Sequence, residues 1–139
     1  MSISFDEFSK RLDTMEGRLA QNITKAMKQN ALRMEAQAKL NATTFPKVID
    51  NRLRSSIMGT VINFQNDDFL ILRAGGLTAP SRPFSESADV VYAAVQEFGG
   101  GPNRIIPKFY LRRARDKIEP IFRRDLNKAA EAALKGEPY

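Results

Sequence analysis

From Phe5 to Met34, apolar residues return every three or four positions: Phe5, Phe8, Leu12, Met15, Leu19, Ile23, Met27 and Met34, with Lys, Arg, Gln and Glu between them. That spacing is the mark of an amphipathic α-helix, and it predicts a helix from residue 4 to about residue 40. Ser4 is placed to cap it, Glu7 three residues later completes a capping box, and Ile3 with Phe8 has the spacing of a hydrophobic staple. A continuous helix of this length measures about 50 Å, too long for a globule of 139 residues to cover completely. Gly17 can interrupt it, so two helices are the alternative. In either case part of the stripe is expected to take a partner from another subunit, because an apolar stripe left in water promotes aggregation; the alternative is an ordinary core stripe covered within the monomer.

The rest of the chain predicts a single α+β domain over 1–139, with a small, mainly antiparallel sheet of 3–4 strands between the N-terminal helix and a basic C-terminal one. Pro46 and its polar neighbours break helical order after residue 40. Residues 52–57, RLRSSI, read as a short helical turn capped by Asp50 or Asn51. Two β-rich runs, 59–64 and 69–74, flank the polar QNDD and predict a hairpin, with Asp67 and Asp68 as turn-formers. Residues 75–89 hold two prolines, two glycines and three serines, and are expected to form a mobile loop. DVV, 89–91, can supply another strand. Tyr92, Val95 and Phe98 are spaced to line one side of a short helix that ends at Gly99 and packs on the sheet, where a positive φ lets the chain reverse. RIIP, 104–107, reads as an edge strand or arm, since Pro107 lacks a backbone donor. From residue 108 to about 135 the chain is helical again, with Pro120 expected to kink or divide the helix. Residues 136–139 are expected to fray.

Several chemistries are excluded by what the chain lacks. It contains neither cysteine nor histidine, so thiolate metal sites, disulfides, Ser-His triads and imidazole bases are absent. The glycine run from Gly99 to Gly101 is followed by Pro-Asn-Arg, where a P-loop needs a lysine and a hydroxyl opening a helix. Glu97 has no titratable neighbour in the sequence to act with it in acid-base catalysis. It is instead a candidate for a structural hydrogen bond or an inter-subunit salt bridge. No cofactor motif, metal site or catalytic residue is expected, and the chain reads as a non-enzyme. No apolar run is long enough to cross a membrane and no signal peptide is recognisable, so a soluble, unprocessed chain is expected. A net charge of +6 suits contact with nucleic acid or an acidic protein surface.

Three segments together, DNRLRSSI at 50–57, VYAAVQEFGG at 91–100 and IPKFYLRRARD at 106–116, resemble in order and spacing the pattern of tailed-bacteriophage tail-completion or neck proteins, the head-tail joining or minor tail family. Leu53, Ser56 and Ile57 match the first motif, with Asn51 where glycine is common. Tyr92, Ala93, Val95, Glu97, Phe98 and Gly99 match the second. Pro107, Phe109, Leu111, Arg112 and Ala114 match the third, with Tyr110 inserted and Arg113 in place of a proline.

The resemblance implies a structural virion protein at the head-tail junction, assembled in the cytoplasm of the host bacterium as a homo-oligomeric ring of six- or twelve-fold symmetry. Its implied partners are the head-completion or adaptor ring and the tail tube, with passing contact to phage DNA if Arg112, Arg115 and Arg123 face the lumen. The alternative is a basic nucleic-acid-binding module that contacts DNA through the C-terminal helix.

Overall fold

The computed structural model describes residues 4–44, 51–75, 93–100 and 104–139. Its elements are α1 (Phe5–Thr44), α2 (Asn51–Ser56), β1 (Met58–Phe64), β2 (Asp67–Arg73), a short helix α3 (93–98) and α4 (Tyr110–Lys135). The class is α+β, as the periodicities predict. Among the described residues the sheet has two strands rather than three or four. In the RIIP segment only Ile105 pairs, in an isolated bridge to Gly100, and Pro107 has no N–H to extend a ladder. DVV at 89–91, Tyr92 and the loop expected over 76–89 lie outside the described residues.

Helix α1 runs unbroken for 40 residues, about 60 Å. Gly17 does not divide it. A Cβ there would meet nothing within 4 Å, so the glycine costs the helix about 1 kcal/mol of propensity, too little to break an element tied down elsewhere by packing. Ser4 accepts the Glu7 N–H at 3.3 Å, but the Glu7 carboxylate turns to Arg11 one turn on, at 3.2 Å. Only one half of the expected capping box is formed, and Ile3, the staple residue, lies outside the described chain.

Helices α1 and α4 pack antiparallel. Asn22 Nδ2 donates to the Ala129 carbonyl, Asn30 Nδ2 to the Asp125 carboxylate, and Asn41 Nδ2 to the Tyr110 carbonyl, so the partner number falls as the α1 number rises. The seam is rich in alanine: Ala26 and Ala38 on α1, Ala114, Ala129 and Ala133 on α4, all buried. Small residues let the backbones approach, and the buried amides and carboxylate fix the register, since any slip would leave them unpaired. α4 passes through Pro120 as one helix. The proline sits at an exposed position, where water can satisfy the carbonyl whose donor the ring removes.

The hairpin lies across α1. Gly59 and Val61 of β1 face the same side as their partners Leu72 and Leu70, while Ile62 and Phe69 face the other. Gly59 is the point of closest approach: a Cβ there would stand 2.2 Å from the Ala31 carbonyl oxygen. The Glu35 carboxylate then accepts the Gly59 N–H at 3.0 Å. Phe64 pairs with Asp67, so the turn is Gln65-Asn66, and both residues have positive φ, 51° and 68°, as a type I′ turn requires. Asp67 and Asp68 therefore belong to the strand, not to the turn. Gln65 and Asn66 make the turn expected of the aspartates, and Asn63 hydrogen-bonds Asp68 across the ladder at 2.9 Å. A lone hairpin is marginal in water. This one is held by Leu70 and Leu72 packing on a core that includes Met34, Leu53, Ile57, Tyr110 and Ile118.

At its far end α4 stops at Gly136 in the left-handed region, φ 77°, with the Glu137 N–H bonded to the Ala132 carbonyl and the Gly136 N–H to that of Ala133, a Schellman ending. The last residues, expected to fray, make hydrogen bonds to α1: Asn22 donates to the Glu137 carbonyl and Lys25 to that of Tyr139.

Candidate functional site

The residues of the three sequence motifs sit at joints of the fold. Leu53 and Ile57 are buried core residues. Ser56 Oγ donates to the Leu53 carbonyl at 2.7 Å and accepts the Gly75 N–H at 2.9 Å, tying the end of α2 to the end of β2.

The second motif forms α3 and its exit. Phe109, the residue before α4, is itself in the left-handed region, φ 51°, and gives no side-chain cap. The missing acceptor comes from Glu97. Its carboxylate takes the N–H of Leu111 at 2.9 Å and of Arg112 at 3.0 Å, the second and third residues of α4, the donors that an N-cap side chain normally satisfies. The negative charge also meets the positive end of the α4 dipole. Two backbone bonds, Lys108 N–H to the Gln96 carbonyl and Phe109 N–H to the Glu97 carbonyl, dock α3 on the same segment. Of the two structural roles open to Glu97 in the sequence, the carboxylate has the intramolecular hydrogen-bonding one, and it is buried. Gly99 has φ 76°, and a Cβ there would stand 2.7 Å from both the Ile105 carbonyl oxygen and the Pro107 ring.

The inner face of α3 differs from the one expected. Ala93, Gln96 and Glu97 are buried, Val95 is half-buried, and Phe98 is 65% exposed. The true inner positions fall at i, i+3 and i+4, but two of them are polar, and an apolar count passes over them. Ala93 contacts the core beside Tyr110, whose hydroxyl donates to the Ala93 carbonyl at 3.4 Å. Burial, with the Glu97 charge nearby, raises the Tyr110 phenol far above its usual range.

Phe98 instead lines a groove of about 740 Å³ between α4 and β2. Leu70, Leu72, Leu111 and Phe122 line its floor, and Arg112, Arg115 and Arg123 stand along one side with Glu119 among them. The structure thus brings together the three arginines that the sequence singled out. Arg112 lies over the Phe109 ring, 4.7 Å from its centroid. Arg115 pairs with Asp116, and Arg123 with Glu119, both at 2.7 Å. What the sequence reading missed was the apolar floor, because Leu70 and Leu72 come from a strand forty residues away in the chain.

A second surface is the N-terminal part of α1. Antiparallel pairing matches Asn22 with Ala129 and Glu137, and the end of α4, Ala133 to Gly136, comes beside Glu7, Lys10, Arg11 and Arg18 on one flank of α1 without covering the apolar stripe next to it. Phe5 is 84% exposed and Phe8 51%, with Leu12 and Leu19 also exposed. These residues continue the same stripe that α4 covers further along.

Among the described residues, no group of three or more His, Cys, Asp or Glu is placed to hold a metal ion, and no helix is long and apolar enough to cross a membrane. No family model, curated protein or solved structure matches the chain.

Proposed function

We propose that the protein is a non-enzymatic, ring-forming structural subunit of a tailed-bacteriophage head-tail junction, a tail-completion or neck connector. The observation that carries this reading is the bare stripe of Phe5, Phe8, Leu12 and Leu19 on α1. Left in water it is a liability; between subunits it is a contact surface. The outer face of the hairpin, with Ile62, Phe64 and Phe69 exposed, offers a further apolar patch. The resemblance of the three motifs supports the head-tail junction as the place, with an adaptor ring and the tail tube as neighbours and the virion as the location.

The runner-up is a DNA-binding module, favoured by the alignment of Arg112, Arg115 and Arg123 on one flank of α4. Against it, Arg115 and Arg123 each pair with an acid of their own helix, which weakens the field available to phosphates.

Light scattering after size exclusion, followed by negative-stain imaging with and without isolated phage tails, tests the reading. Annular particles, free or on tail ends, are expected. A chain that stays monomeric, ignores tail ends and binds duplex DNA with a steep salt dependence would overturn it in favour of the module.

A further inference from the structure

The free end of α1 and the arginine-bordered groove have similar length and opposite character. From Phe5 to Met15 the helix rises about 15 Å, and from Arg112 to Arg123 α4 rises about 16 Å. The overhang offers Phe5, Phe8 and Leu12, and the groove offers an apolar floor of leucines and Phe122. On residues 5–16 the acids Asp6, Glu7, Asp13 and Glu16 outnumber the bases Lys10 and Arg11. Three arginines and two glutamates line the groove, and one of the glutamates, Glu97, is already bonded to the first N–H groups of α4, so the lining keeps a net positive charge. Arg115 and Arg123 already pair with Asp116 and Glu119, so the opposite charge orients the contact, and its affinity comes from the apolar anchors.

The two surfaces cannot meet within one chain. Met34 lines the groove, Leu12 is on the overhang, and α1 is continuous between them, which separates the two by about 33 Å of stiff helix. Any contact between them joins different copies.

We propose that residues 5–16 of one copy lie in the arginine-bordered groove of the next. This rests on the ring-subunit reading and names the interface that reading requires. Each copy gives one overhang and receives one, so the contact is heterologous and head-to-tail, and it closes into a ring when the rotation between neighbours divides a full turn. It assigns Arg112, Arg115 and Arg123 to the acidic face of a neighbour rather than to the lumen.

The chain has no cysteine, which makes single-cysteine crosslinking of the full-length protein clean. Phe8→Cys mixed with Phe98→Cys should give a disulfide dimer containing one of each, and a chain carrying both should give a covalent ladder. An equal yield of dimer from Phe8→Cys alone would mean that overhangs pair with each other and would overturn the proposal. A second arm uses mixing. An overhang variant, Phe5→Ser with Phe8→Ser and Leu12→Ser, and a groove variant, Arg115→Glu with Arg123→Glu, alter exposed positions and should keep the wild-type far-ultraviolet dichroism. Each alone should self-associate about 100-fold more weakly, the scale of losing interface anchors. Mixed, they should stop at a one-to-one pair, which keeps a single intact contact. If both variants assemble like the wild type, this contact is wrong while the ring reading stands. If the wild type stays monomeric both alone and in the presence of isolated phage tails, both fall.

Discussion

The Glu97 carboxylate accepts the backbone N–H of Leu111 at 2.9 Å, from fourteen residues earlier in the chain. An acid in the middle of a conspicuous motif is thereby used to start a helix. Its position, buried and bonded to two backbone donors, accounts for the residue without any reacting group.

Glu97→Ala should therefore lower stability by about 1–3 kcal/mol, the sum of a lost cap and two donors left without an acceptor. Glu97→Gln, which keeps one oxygen acceptor but loses the charge, should cost less. Urea denaturation of the three proteins measures the order, and equal stability of the alanine variant and the wild type would remove the capping role.

Gly59→Ala tests the close approach of β1 to α1. The new methyl would collide with the Ala31 carbonyl, and a backbone atom cannot swing aside as a side-chain tip can. The expected loss is about 3 kcal/mol or more, at the upper end of overpacking costs, read as a large fall in the denaturation midpoint or a failure to fold. Gly17→Ala, at an open position of α1, should instead stabilise by about 0.5–1 kcal/mol.

Acid should weaken the α1–α4 seam. Burial pushes the Asp125 carboxyl up, but hydrogen bonds from Asn30 and Arg33 and the charges of Arg33 and Arg124 together outweigh it and hold the group below its usual range. Glu35 shifts the same way: burial raises it, and Lys39 and the Gly59 N–H more than offset that. A carboxyl with the lower pKa in the folded state binds fewer protons there. Its contribution is complete above the unfolded value of about 3.9–4.3 and is lost as pH falls through the folded value. Stability measured at a series of pH values should fall across that window, and Asp125→Asn should flatten the fall. An unchanged slope in the variant would show that Asp125 does not couple folding to protons.

The hairpin turn is not optimised. Type I′ turns favour Asn-Gly, and the chain has Gln65-Asn66, both at positive φ. Gln65→Asn with Asn66→Gly should raise stability by about 0.5–1 kcal/mol, since a non-glycine residue strained at positive φ is relieved. A fall would mean that the loop is held in its shape by contacts beyond the turn itself.

Local patterns carried the sequence reading a long way. The stripe from Phe5 to Met34 and the two β-rich runs each report the face of one element, and each element formed, as did the C-terminal helix. The reading failed where a residue acts across the fold. Asp67 and Asp68 resemble turn residues until pairing with Phe64 and Asn63 places them in β2. Phe98 fits an apolar face until the bond from Glu97 to α4 turns α3 the other way. Arg112, Arg115 and Arg123 were recognisable as a set, but the floor beside them was not.

By itself, then, the sequence determined that this chain has a long amphipathic helix, a hairpin and a basic helix, because periodicity of 3.6 or 2 is a local property of the backbone. Only the tertiary structure decided how much of the first helix the last one covers, and which partners Glu97, Gly59 and Asp125 take. Those outcomes depend on the lengths and antiparallel register of α1 and α4 and on backbone groups brought together from distant positions, where each buried polar atom must find its mate or weaken the fold.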